Sequence, residues 1–115
     1  MTKLEKTFSE YKFTTWRDTE FTIDMIECNK GWHDIIAELI NELISLGWNK
    51  KICQIKEKYG GLRFYLDEGD EKMMETIDKY ERKSHTVCEL CGSAGSTNKV
   101  KGWWKTLCEE CQREK

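Results

Sequence analysis

The chain has no proline and only two histidines among its 115 residues. Without proline there is no polyproline segment and no stiff linker of that kind. Long hydrophobic runs are missing too: the longest are two or three residues, against the roughly 20 that a membrane-spanning helix needs. Behind Met1-Thr2-Lys3-Leu4-Glu5-Lys6 lies no apolar core region of a secretory signal, so the expected location is the cytoplasm, of a cell or of a host. Excess charge of one sign is also lacking. Nineteen basic residues face 21 acidic ones, for a net charge of −2. A non-specific nucleic-acid binder draws its affinity from counterion release in a basic field, and only a local patch can supply one here. Finally, there is no nucleophile elbow, phosphate loop or His-Glu-x-x-His helix, so an enzyme is not expected. The Asp67, Glu68, Asp70, Glu71 cluster could hold magnesium, but it reads first as a solvated turn and helix start.

What the chain does have is cysteine, six in all, against 38% hydrophobic and 35% charged residues. Four of the six form two Cys-x-x-Cys pairs, Cys88/Cys91 and Cys108/Cys111, sixteen residues apart. Two residues between sulfurs let both reach one ion, and a gap of this length lies in the range of four-cysteine zinc sites. Disulfides and a redox pair compete with this reading, but no thioredoxin-like setting surrounds either pair. Four thiolates leave no open coordination position, so one structural zinc ion is expected, held by Cys88, Cys91, Cys108 and Cys111. Thiolate charge makes the loaded protein more acidic than its bare sequence. Cys28 and Cys53 stand alone and read as buried thiols, and His33 and His85 as surface or capping residues.

The pattern predicts an α+β protein in two parts, an α+β unit over 1–84 and a zinc module over 85–115. Trp32, Ile35, Ile36, Leu39, Ile40, Leu43 and Ile44 recur at the spacing of one helix face, giving an amphipathic helix over about 31–46, with Gly47 placed for its C-cap. On the other face Asp34, Glu38 and Glu42 form an acidic stripe without cations of its own. It reads as a solvated face or as a docking surface for a basic partner. Residues 52–66 predict a β-hairpin turning at Gly60-Gly61. In that register Lys58 faces Arg63 and Lys56 faces Tyr65. Cys53, Ile55, Tyr59, Leu62, Phe64 and Leu66 then form the core side, and Gln54, Lys56, Lys58, Arg63 and Tyr65 the outer one. Glu57 falls awkwardly on the apolar side. A second helix is expected over about 70–84, with Met73, Met74, Ile77 and Tyr80 on one side. Phe21 to Met25 alternates and predicts a strand; the rest of 1–30 is the least legible stretch.

In the zinc module, Gly102 to Leu107 predicts a strand. Alternation then turns one of Trp103 and Trp104 inward and the other outward. A short helix at 112–115 completes a treble-clef-like arrangement, a hairpin knuckle followed by a helical one.

Three segments carry a resemblance: Gly31-Trp32 opening a helix, the run Gln54 to Tyr65 containing Lys-Tyr-Gly-Gly-Leu-Arg-Phe-Tyr, and the Cys-x-x-Cys-Gly … Gly-Trp … Thr-Leu-Cys-x-x-Cys tail. Together they resemble a family of small, mostly uncharacterised proteins of phages, prophages and bacteria, from about residue 25 to the end. Relatives often carry an acid before the Gly-Trp pair, where this chain has Lys30. The resemblance implies a phage or mobile-element origin and interference with a host factor. The cysteine spacing, Gly92 and Leu107 are also similar to a GATA-type finger, though the arginine-rich stretch of such fingers is missing.

Three binding roles follow as expectations. The first is a zinc-stabilised, non-enzymatic protein that docks on a host protein as an anti-defence or takeover inhibitor. The second is a nucleic-acid-binding zinc-finger regulator, using Lys56, Lys58, Arg63 and Tyr65 with Lys50, Lys51, Lys99, Lys101 and Lys105. The third is sequestration of a small nucleotide-like anion. Trp103 and Trp104 join the candidate contact residues because Trp, Tyr and Arg dominate binding hot spots.

Overall fold

The computed structural model describes residues 2–113. It is an α+β arrangement of four α-helices and two antiparallel hairpins. Helix α1 spans Lys3–Glu10, α2 His33–Ser45, α3 Glu71–Lys83 and α4 Glu109–Arg113. Strands β1 (Ile52–Lys58) and β2 (Gly61–Leu66) form one hairpin, and β3 (Ser96–Val100) and β4 (Trp103–Leu107) the other. The expected final helix thus begins earlier, at Glu109, and residues 114 and 115 lie outside the described ones. No helix among the described residues is long and apolar enough to cross a membrane.

Helix α2 is the centre of the core. Ile35, Ile36, Leu39, Ile40 and Leu43 are buried at the predicted spacing, and Gly47 takes the left-handed φ of +91° that ends the helix. A single 3-10 turn, Lys30–Trp32, leads into it. Helices α1 and α3 both pack against α2, and two of the three acids of its stripe are met by cations from them, while Asp34 is exposed. Glu38 lies 3.8 Å from Lys3 Nζ of α1 and 3.6 Å from Lys83 Nζ of α3, while Glu42 is 3.0 Å from Lys79 Nζ. The missing cations come from neighbouring helices, which a one-helix view could not see.

Helix α1 has a capping box at Thr2 and Glu5 and buries Leu4 and Thr7. The predicted strand at 21–25 is instead a 3-10 turn, Ile23–Met25. Only Phe21 of that stretch is buried, where its N–H donates to the Phe13 carbonyl (2.8 Å). Alternation there reflects one anchored ring followed by a loop, since the short antiparallel pairing with residues 13–15 ends at Phe21. Helix α3 opens on an Asp70 cap that accepts from Met73 N–H. Met73, Thr76, Ile77 and Tyr80 face inward, whereas Met74 is 53% exposed and does not share their side.

The first hairpin turns one residue earlier than predicted. Tyr59 and Gly60 hold φ of 53° and 82°, the two left-handed residues of a tight turn. Ile55 therefore faces Phe64, Lys56 faces Arg63, and Glu57 faces Leu62. Gly61 is needed for room rather than for φ: a Cβ there would meet His85 Nε2 at 2.6 Å. The second glycine of the pair serves packing, which a turn rule cannot read. Pairing slips by two residues, so Gln54, Lys56, Lys58, Arg63 and Tyr65 keep their common outer face. Three expected core residues change place. Tyr59 is 69% exposed at the turn, Leu66 is half-buried, and a bulge at Cys53 exposes that thiol while Ile52 is buried instead. Glu57 is half-buried, and its carboxylate accepts from Gly60 N–H (2.8 Å).

Candidate metal centre

The four cysteines of the two pairs come together. Their sulfurs all lie within 4.8 Å of one another, and none of the six cysteines is in a disulfide. Cys91 and Cys108 sulfurs are 3.6 Å apart. A tetrahedron of thiolates around an ion at about 2.3 Å has an edge of roughly 3.8 Å, so the spacing suits a shared ion. Cys88 is fully buried and Cys91 exposed.

Backbone geometry prepares these sulfurs. Gly92 takes φ +85° after the first pair, and its N–H donates to the Cys88 carbonyl (2.9 Å). Cys111 N–H lies 3.4 Å from Cys108 Sγ. The Cys91 thiol is lowered to about 6, chiefly by the Ser93 hydroxyl 3.3 Å away and by Ser93's backbone N–H. For Cys88, burial opposes ionisation, but backbone N–H groups of Cys108, Cys91 and Leu90 outweigh it and lower its thiol. Cys111 is raised instead, first by its hydrogen bond with Cys108. Four sulfurs this close repel as thiolates, and a bound cation relieves that repulsion. The residues present therefore fit a metal ion.

The metal centre is anchored to α2 at the Gly31-Trp32 pair. Gly31 N–H donates to the Glu89 carbonyl (2.7 Å), and a Cβ on Gly31 would sit 2.1 Å from the Cys88 carbonyl oxygen. Trp32 is fully buried and its indole N–H donates to the Val87 carbonyl. Glu89, between the first two cysteines, is a buried carboxylate that accepts from Asn29 N–H and its side-chain amide at 3.1 and 3.2 Å. Burial raises its pKa against those two donors. Cys28 is half-buried, and its thiol is pushed up to about 12, by burial first and then by Glu89 and Glu57.

A second anchor joins the two hairpins. Thr106 is buried and its hydroxyl donates to the Gly60 carbonyl, while Thr97 bonds both Thr106 and His85 (2.6 and 2.8 Å). His85 is thus an exposed residue, as expected, that bridges the hairpins rather than capping a helix. The turn of the first hairpin rests on the backbone of Trp104 and Lys105.

The candidate contact residues divide. Arg63 is half-buried, and its cation is met by Glu81 of α3 at 4.0 Å; that carboxylate also accepts from Phe64 N–H. The like-charge neighbour of Arg63 is Lys56, and the acid it recruits is Glu81 rather than Asp67 or Glu57. Lys56 is half-buried, while Lys58 and Tyr65 are exposed. Trp103 and Trp104 are 72% and 46% exposed, so neither covers the cysteines or the core. Burial along β4 begins only at Thr106 and Leu107. A two-stranded ribbon has no second layer over its far end, and alternation there selects no inner face.

The chain matches no known protein family, no curated protein and no solved structure.

Proposed function

We propose that this is a zinc-stapled, non-enzymatic binding protein of phage or mobile-element origin that acts in the cytoplasm on a host macromolecule. Its four-cysteine site is a structural zinc site, and the module from His85 onward is a treble clef. One observation carries the contact reading: Tyr59, Trp103 and Trp104 are all exposed, on two hairpins that meet where the Gly60 turn packs on the backbone of Trp104 and Lys105. Exposed Trp and Tyr are the residue types that dominate binding hot spots. A host protein is the partner that aromatic composition alone favours, as expected of an anti-defence inhibitor. Capture of a small anion by Arg63 is less favoured, because Glu81 already supplies its counter-charge.

Two measurements test this reading. Elemental analysis is expected to find one zinc per chain, and none in Cys88→Ser. Affinity capture from host extract is then run side by side with wild type and the Trp103→Ala/Trp104→Ala double variant. Components retained by wild type and lost by the double variant support the surface. Identical recovery by both sinks it.

A further inference from the structure

We infer, resting on the reading of the hairpin end as the contact surface, that its ligand is single-stranded nucleic acid. Charge decides between this and a protein partner. The segment from Ala94 to Leu107 carries Lys99, Lys101 and Lys105 and no carboxylate, and the neighbouring turn adds Lys58, with the Glu57 carboxylate beside it turned onto Gly60 N–H. Because the whole chain is −2, the rest of it is acidic and this segment is locally basic. Lysine is depleted in protein–protein interfaces, where arginine is the enriched cation. Here lysines are interleaved with the aromatics: Lys58 Nζ lies 5.6 Å from the Tyr59 ring and Lys99 Nζ 5.9 Å from the Trp104 ring. Rings flanked by cations can stack a base and hold its phosphate at the same time.

Two further features agree. Both hairpin tips use left-handed residues with side chains, Tyr59 (φ 53°) and Lys101 (φ 51°), where asparagine is the favoured residue. Backbone strain of this kind is concentrated at ligand-binding positions. The thiolates lie at the other end of β4, roughly 15 Å along the strand from Trp103. That is beyond the screening length of about 8 Å at physiological ionic strength, so their charge does not cancel the lysines. A single strand is preferred over a duplex because only unstacked bases expose faces to these rings.

The test is anisotropy of labelled oligo-dT, oligo-U and a duplex of equal length, titrated with zinc-loaded protein at low and moderate salt. Binding to one or both single strands is expected, with affinity falling as about the second to third power of salt for roughly four phosphates. The two homopolymer arms distinguish DNA from RNA. Trp103→Ala and Trp104→Ala should each weaken binding about tenfold with the salt slope kept. Lys99→Glu and Lys101→Glu should flatten the slope. Circular dichroism and zinc content show that each variant is folded. No binding in any arm, or equal preference for the duplex, overturns the inference. If binding is absent while a protein or a second copy of the chain is held through the same tryptophans, this inference falls and the contact surface stands. Oligonucleotide binding indifferent to both tryptophan substitutions overturns both.

Discussion

The indole Nε1 of Trp32 donates to the carbonyl of Val87 across 2.8 Å, tying the start of α2 to the chain that enters the first cysteine pair. Trp32→Phe keeps an aromatic ring but leaves that carbonyl unpaired beside the core. The unfolding free energy should fall by about 1–3 kcal/mol, measured by denaturant titration of the zinc-loaded protein.

Gly31 is the companion of that bond. A methyl group there would lie 2.1 Å from the Cys88 oxygen and 2.4 Å from Glu89 backbone atoms, which cannot yield without moving the cysteine pair. Gly31→Ala should therefore weaken metal binding as well as stability. Competition with a chromophoric chelator reads the first effect; an unchanged zinc affinity would contradict the anchoring role.

Metal removal should act most on the second hairpin. Structural zinc contributes on the order of 10 kcal/mol to folding in small modules. A strong chelator should lower the Tm of wild type. Cys88→Ser should start near that lowered value and show no further response.

Gly61 and His85 are expected to be coupled. Gly61→Ala forces its methyl to 2.6 Å from the imidazole and should destabilise the protein. His85→Ala opens the space, so the double variant should recover about 0.5–3 kcal/mol relative to the sum of the single changes. Additive losses would show that the close approach carries no cost.

Glu81 should make stability fall as pH rises. Burial raises its carboxyl above the ordinary 4.5, more than Phe64 N–H and Arg63 lower it. Folding therefore favours the protonated form. Its contribution is full below pH 4.5 and is lost as pH rises through the raised folded value. Glu81→Gln still accepts from Phe64 N–H and no longer ionises. The stability difference, variant minus wild type, should grow from acid pH to neutrality; a flat difference would count against it.

How much was legible beforehand follows from the range of each interaction. Cysteine spacing, the apolar stripe of α2 and the polar outer face of the first hairpin are periodic and local, so the sequence by itself determined them. The capping box at Thr2 and Glu5 was also readable and would have marked α1. Other features depend on neighbours distant in the chain. Glu81 reaches Arg63 from another element, Lys3, Lys79 and Lys83 pair with Glu38 and Glu42 of the α2 stripe, and His85 decides why Gly61 must be glycine. Only the tertiary structure decided that both tryptophans of β4 stay in solvent. Alternation says which residues share a face, but burial requires a layer to cover that face, and beyond Thr106 the ribbon has none.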